Sequence, residues 1–415
     1  MKFDVKSLFT LTTGSVISQL IAVCCSVIIT RLYGPEQIGT FTYVLSVSTL
    51  FMGVANLRYD IPIVTEASEK SVFPLIKLCL IIGLIVAIFV SLGVVPLFES
   101  KNIPVYWIVF VFLIVISFSI INTLSAYNNR QKEYKVISIT YVIRSSFQNV
   151  GALAFGLFTN SALGLLLPYV FGQYFGINKQ ASSLKGRWKE IWNIKNAEVI
   201  SMAKKHNKQP LYSAPAQLIS GLSYSLITII IAHLFGMSVV GYYSVSVRLL
   251  GLPLVLIAGN VAKVFLKEAS QEYNQTTGYR KSLYRTFLML LAMSIPLMTI
   301  IYFISPVLCE FFFGKGWGIS GVYIQMLVPM FGIRFITSAL SPAMVIAGKQ
   351  KIELCLLSFF LIFNIVSYAI SKQYDLHVES FLQLVNWLFF TAYLIYLVTI
   401  FKFSKVREQV YVSSE

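Results

Sequence analysis

Acidic side chains are scarce in this chain: 17 Asp and Glu stand against 33 Lys and Arg in 415 residues, and only 12% of positions are charged while 57% are hydrophobic. That composition excludes an ordinary soluble domain, in which about a quarter of residues are charged. Histidine is scarcer still. His206, His233 and His377 are scattered and lack a His-Glu-x-x-His pattern, so neither a zinc site nor a nucleophile–histidine pair is indicated. No Gly-x-x-x-x-Gly-Lys-Ser/Thr loop is present, which leaves no phosphate cradle for ATP hydrolysis. Cys24, Cys25, Cys79, Cys309 and Cys355 show no metal-ligand spacing and mostly lie in apolar runs, where a free thiol packs as a small hydrophobe. The residues give no reason to expect a cofactor or a metal.

Long apolar runs are what the chain does have. A membrane-crossing helix needs about 20 apolar residues, and windows of that length give twelve candidates: 8–32, 40–62, 74–97, 104–126, 136–158, 161–178, 210–235, 239–262, 283–304, 319–346, 352–372 and 378–401. The expected class is an all-α polytopic membrane protein. The first run ends at Thr30-Arg31 without a small-x-small cleavage pattern, and so reads as an anchor. Loops on the expected outside are short, which leaves little platform for a membrane-embedded polymerase or glycosyltransferase.

The net charge of +16 is topological and does not point to nucleic acid. With the N-terminus inside, 26 of the 33 Lys and Arg fall on cytoplasmic segments and helix ends, against Arg31, Lys101, Lys315 and Lys372 on the other side. Such a bias predicts both termini in the cytoplasm and an even number of spans.

The longest polar stretch, 179–209, separates six candidate spans from six. The expected organisation is an N-terminal lobe over 1–178, a basic cytoplasmic linker over 179–209, a C-terminal lobe over 210–402 and a tail over 403–415. Within the linker Trp188, Ile191, Trp192 and Val199 fall near one helical face with Lys185, Arg187, Lys189 and Lys195 around them. That pattern suits a helix lying at the membrane surface; a solvated linker with its tryptophans docked on the bundle is the alternative. An internal repeat supports the division. Ile17-Ser18, Leu20, Ile28-Ile29, Leu32, Gly34 and Gly39 recur 202 residues later as Ile219-Ser220, Leu222, Ile230-Ile231, Leu234, Gly236 and Gly241. In each copy a glycine is expected to serve the turn. Because six spans separate the copies, the repeat is parallel and a substrate site is expected between the halves.

Three arginines, Arg144, Arg248 and Arg334, lie inside apolar runs that contain no Asp or Glu. A charge at that depth costs about 2.5–3.5 kcal/mol on insertion scales and normally faces a bundle interior or an aqueous path. Arg248 is nearest mid-bilayer and Arg334 somewhat past it, whereas Arg144 is also within reach of headgroups by snorkelling. Arg58-Tyr59-Asp60 adds both signs at the end of the second run. Arg58 is a candidate phosphate contact, since its planar fork binds two oxygens at once, and Asp60 either orients an arginine or serves as a coupling proton site. The alternative is a helix end with interfacial anchors. Gln19, Asn56, Asn149, Gln173, Asn260, Gln325 and Asn364 add polar groups in or near spans, suited to a hydroxyl-rich cargo or to helix–helix hydrogen bonds.

Thr30-Arg31-Leu32-Tyr33-Gly34-Pro35-Glu36-Gln37-Ile38-Gly39 and Leu57-Arg58-Tyr59-Asp60-Ile61-Pro62-Ile63-Val64 resemble the first-loop and second-span patterns of the polysaccharide transporter family. These are O-antigen-type flippases of the multidrug/oligosaccharidyl-lipid/polysaccharide exporter superfamily. The resemblance implies about twelve transmembrane helices in two six-helix lobes set as a V around a central cationic cavity. It also implies a bacterial inner-membrane flippase of undecaprenyl-pyrophosphate-linked oligosaccharide, moving O-antigen or similar units from the cytoplasmic to the periplasmic leaflet. Arg58 and Arg248 match in position and charge the cavity arginines of related peptidoglycan-precursor flippases, although the first span here has no arginine before Arg31. Coupling to a proton or sodium gradient or to membrane potential is expected, and a polysaccharide polymerase and chain-length regulator are the expected partners besides membrane lipid. Two rivals follow: a multidrug exporter of the same superfamily, for whose cationic cargo an acidic cavity would be expected, and a membrane polysaccharide polymerase or ligase.

Overall fold

The computed structural model describes residues 5–66, 68–276 and 278–404, so Lys2, Lys405, Arg407 and the rest of the expected tail lie outside the described residues. Among the described residues every regular element is helical. By contact the chain divides into two compact units, Met1–Gly241 and Tyr242–Glu415.

The first unit contains α1 (Val5–Leu32), α2 (Pro35–Leu50), α3 (Asp60–Thr65), α4 (Glu69–Gly93), α5 (Val95–Glu99), α6 (Ile108–Arg130), α7 (Tyr134–Gly156), α8 (Leu163–Tyr174), α9 (Ile177–Gln180), α10 (Trp188–Asn193), α11 (Asn196–Lys205) and α12 (Ala214–Phe235). From α13 (Met237–Pro253) the chain passes into the second unit, which holds α14 (Gly259–Thr276), α15 (Arg280–Phe313), α16 (Gly318–Leu340), α17 (Pro342–Ile346), α18 (Gln350–Tyr374) and α19 (Val378–Phe403). The division falls beyond the polar linker because α10 and α11 pack on α4, and α12 packs on α2.

Among the described residues eight helical runs are long and apolar enough to cross a membrane: Thr13–Leu32, Glu69–Glu99, Val105–Arg130, Met237–Thr276, Arg280–Phe313, Gly318–Ile346, Lys351–Tyr374 and Val378–Phe403. The bent pair Gln209–Ser223 and Ser225–Phe235 makes a ninth. These nine account for nine of the twelve expected spans, and each of the other three has its own explanation. Helix α2 stops at Leu50, inside the run 40–62. Helix α7 is 23 residues long, or about 34 Å, but carries Arg144, Ser145, Ser146, Gln148 and Asn149 in its middle. Helix α8 has 12 residues, about 18 Å, well short of a 30 Å hydrocarbon core. Outward faces are apolar: Phe89, Phe158, Phe303, Val307 and Phe311 are all exposed, as expected where lipid is the solvent.

The repeat is visible in the helix ends. Helices α2 and α13 begin at Pro35 and Met237, 202 residues apart, so Gly39 and Gly241 lie inside helices instead of opening them. Gly236 at the second corner has φ +89° and needs glycine's freedom. Gly34 at the first has φ −72° and does not. At that corner Tyr33 is buried, and its hydroxyl donates to Ala152 O of α7 at 3.0 Å.

Candidate functional site

The second apolar run breaks at mid-length. After Leu50 the chain continues as turns to Tyr59, with i→i+3 bonds such as Val54 N to Phe51 O (3.0 Å) and Leu57 N to Val54 O (2.8 Å). Leu57 and Arg58 then adopt left-handed backbone, φ +45° and +65°, a conformation that costs a non-glycine residue about 1–3 kcal/mol and persists only where the surroundings impose it. Helix α6 does the imposing. Asn122 Nδ2 donates to Met52 O at 2.9 Å, and Asn56 Nδ2 donates to Ser119 O (3.1 Å) and Thr123 Oγ1 (3.0 Å). Backbone groups freed by a break at this depth need such partners, because lipid offers none.

Arg58 emerges from the break with its guanidinium NH1 3.9 Å from the Asp60 carboxylate, both side chains being partly buried. Its Nε is buried without a hydrogen-bond partner. Asp60 opens α3, which is fastened beyond it: Arg130 donates to Ile63 O and Glu66 O, and Tyr59 Oη donates to Ala203 O at 3.2 Å. Arg58 and Asp60 are thus brought together as a loose ion pair.

Arg144 is placed differently. Its NH2 donates to Gln173 Oε1 on α8, where Gln173 is almost wholly buried, so the side chain is held within the first unit. Its Nε is buried and unpaired. Among the described residues it makes no polar contact with Arg58 or Asp60.

In the second unit Arg248 lies eleven residues beyond Met237 on α13, about 17 Å along the helix. It is half-buried and has no hydrogen-bond, ion-pair or ring partner among the described residues. Two serines fix its helix against α16: Ser246 Oγ donates to Ser320 O (2.8 Å) and Ser320 Oγ to Tyr242 O (3.0 Å). Five residues on, Pro253 ends the α-helix and a π-helical turn, Leu254–Ala258, follows; such turns are frequent at functional sites. Arg334 on α16 is better provided for, with its guanidinium 5.3 Å from the Phe331 ring centroid and a further interaction besides.

The four cations differ in how far they are engaged. Arg248 has no partner among the described residues, Arg58 and Arg144 each have one partner and a buried Nε left unpaired, and Arg334 is engaged by neighbours. A guanidinium half-removed from water with free N–H groups is suited to a multivalent oxyanion, above all phosphate. Among the described residues no group of three His, Cys, Asp or Glu is placed to hold a metal ion. Of the polar candidates, Asn56 and Gln173 serve packing and the arginine, Gln325 Nε2 donates to Tyr302 O (2.8 Å), Asn149 bonds within its own helix, and Asn260 Nδ2 donates to Leu256 O of the preceding π-helical turn. Sequence reasoning missed Asn122, which supports the break, and Asn386, whose Oδ1 accepts from Met330 N at 2.9 Å beside Pro329.

Comparison with known proteins agrees with this architecture. The family model described as polysaccharide biosynthesis protein matches residues 63–320. The capsular polysaccharide biosynthesis protein CapF of Staphylococcus aureus is 22% identical, over 93% of this chain and 98% of its own. Among solved structures, the inward-closed lipid II flippase MurJ superposes with a TM-score of 0.68 at 16% identity, covering 94% of this chain and 87% of that one. An inward-facing multidrug resistance MATE family transporter of the MOP superfamily gives 0.67 at 14%, covering 97% and 94%. The chain belongs to the polysaccharide biosynthesis protein family and has the fold shared by these MOP superfamily transporters.

Proposed function

We propose that this protein is a flippase for lipid-linked oligosaccharide. It moves undecaprenyl-pyrophosphate-linked repeat units of a surface polysaccharide, O-antigen or a similar polymer, from the cytoplasmic to the periplasmic leaflet of the inner membrane by alternating access. Both termini lie in the cytoplasm, no covalent bond is made or broken, and an ion gradient or the membrane potential resets the cycle. Arg58 and Arg248 bind the pyrophosphate, Arg334 and Arg144 contribute positive field, and Asp60 holds Arg58 in place.

The observation that carries this reading is Arg248: a half-buried cation on a membrane-length helical run with no partner among the described residues. Retaining such a charge is costly unless a ligand completes it, and an anionic ligand does so. A cationic drug would add repulsion at the same point. The family assignment and the capsular relative support a polysaccharide precursor as the anion. The test is genetic. Deleting the gene is expected to leave lipid-linked repeat units on the cytoplasmic leaflet and to abolish surface polymer; the parental gene restores export, and Arg58→Ala and Arg248→Ala at normal abundance do not. Export at the parental rate by both variants overturns the proposal.

A further inference from the structure

Lys77, on α4, is a nearly buried lysine whose Nζ donates to two backbone carbonyls of the linker, Trp192 O at 3.1 Å and Ile194 O at 2.7 Å. Those carbonyls lie where α10 ends and the backbone turns extended, with ψ 132° at Ile194 and 139° at Lys195. A cation at a helix C-terminus satisfies carbonyls that have no helical partner. The linker is therefore two short helices clamped along α4. Ile191, Val199 and Met202 are buried in one cluster with Val72, Leu75 and Ile76, and Trp188 packs at its edge. Arg187 pairs with Glu69, and Lys205 with Glu66 at 2.6 Å.

This docking leaves an outer face that the helical pattern did not foretell. Trp192, expected beside Trp188 and Ile191, instead points away and is 54% exposed, as is Ile200; Leu211 is 62% and Tyr212 71% exposed. Lys179, Lys185, Lys189, Lys195, Lys204 and Lys208 are exposed among them and have no ion-pair or hydrogen-bond partner among the described residues. Glu190 and Glu198 are the only acidic residues of 179–209, against eight Lys and Arg. Water alone gives no reason for large apolar and aromatic side chains to stand between unpaired lysines. A headgroup layer accepts both at once, the rings at the acyl boundary and the ammonium groups at the phosphates.

Depth places the face in that layer. The run Glu69–Glu99 has 31 residues, about 46 Å, against a hydrocarbon core of about 30 Å. The run is longer than the core is thick, and the linker is tied to its first turns, by Arg187 at Glu69 and by Lys77 about two turns further along.

We propose that the outward face of the linker, from Lys185 to Tyr212, is a docking surface for anionic phospholipid headgroups of the leaflet on its own side. The lysines select negative charge, Trp192, Ile200, Leu211 and Tyr212 insert at the boundary, and the clamp at Lys77 holds the face level with the bilayer surface. The occupant is bulk phospholipid and not the transported lipid, so the inference stands or falls apart from the cargo.

The test uses the full chain in nanodiscs of mixed phosphatidylcholine and phosphatidylglycerol, with bromine near the top of the acyl chains of one lipid or the other. The Trp192 signal is the fluorescence difference between the parent and Trp192→Phe. The expected result is that brominated phosphatidylglycerol quenches this component at least about twofold more than brominated phosphatidylcholine at equal mole fraction, an excess that vanishes when Lys189, Lys195, Lys204 and Lys208 are all changed to Gln. A Trp192 component that neither lipid quenches, because water or a protein partner covers it, overturns the proposal. Equal quenching by both lipids, indifferent to the lysines, also overturns it.

Discussion

Gly39 and Gly241, 202 residues apart, meet each other's helix starts in a reciprocal contact. A Cβ on Gly39 would stand 1.7 Å from Met237 O, and a Cβ on Gly241 1.9 Å from Pro35 O, while Pro35 and Met237 are themselves 202 residues apart. The two copies of the repeat therefore touch through equivalent residues, backbone against backbone, in the first turns of α2 and α13. Only glycine allows helices so close.

Adding a methyl group at either position must push the two helix starts apart. Gly39→Ala and Gly241→Ala are each expected to cost about 1–3 kcal/mol, read as a lowered Tm in detergent. Gly251→Ala, on the same helix as Gly241 but with nothing within 4 Å of its Cβ, is expected to gain up to about 1 kcal/mol from helix propensity. Equal responses at all three positions would contradict the contact.

The left-handed backbone at Arg58 separates stability from transport. Arg58→Gly removes the strain at φ +65° and is expected to raise Tm relative to Arg58→Ala, by about 1 kcal/mol in stability. Both variants lose export, since neither has a guanidinium. An Arg58→Gly protein less stable than Arg58→Ala argues against a strained break.

Asn122 is the support of that break. With its side chain shortened, Met52 O loses its cross-helix donor, and Asn122→Ala is expected to cost about 0.5–1.5 kcal/mol. Asn260→Ala, whose side chain bonds only to Leu256 O one turn back in the chain and reaches no distant helix, serves as the control with little effect on Tm.

The linker clamp is testable by proteolysis. Lys77→Met keeps length and apolarity but removes the donor to Trp192 O and Ile194 O, bonds of the charged class worth about 1.5–3 kcal/mol. Limited trypsin digestion is expected to cut within 179–209 on the order of 10-fold faster than in the parent, with the spans left intact.

Acid should loosen the same region from its other end. Glu66 sits under a hydrogen bond from Lys205, with His206 Nε2 2.9 Å from its second oxygen, and the Lys205 contact foremost holds its carboxyl below the ordinary glutamate range. A depressed value means that the contribution is fully present above about pH 4.3, the unfolded value, and is lost as pH falls through the lower folded value. Trypsin is inactive there, so hydrogen exchange of α11 is the readout: protection falls below that pH in the parent, and in Glu66→Gln is already low and flat.

How much of this was legible in the sequence follows from which signals are local. The repeat was readable because its glycines recur at one offset, yet they read as turn residues, and only Gly236 proved to need a turn conformation; Gly39 and Gly241 serve a contact between distant helices. The break before Arg58 was hidden because Phe51, Met52, Val54, Ala55 and Leu57 keep the run apolar while α6, more than sixty residues away, supplies the partners that stabilise it. The partner of Arg144 was hidden because Gln173 lies on another helix. The linker's amphipathic face was read as one surface; the extended backbone at Ile194 and Lys195 divides it, and Trp192 falls on the outer side.

Transport itself is the most direct measure of the central claim, that Arg248, together with Arg58, carries the anionic head of a lipid-linked sugar. Purified protein in proteoliposomes loaded with undecaprenyl-pyrophosphate oligosaccharide on one leaflet is scored by appearance of the glycan on the other, using an impermeant lectin or glycosidase. The account predicts that the parent transfers the lipid, that Arg248→Ala slows transfer at least about 10-fold, and that Arg248→Lys recovers only part of the rate because a point charge replaces a fork. Transfer by Arg248→Ala at the parental rate, or none by the parent under any ion gradient or potential, would contradict it.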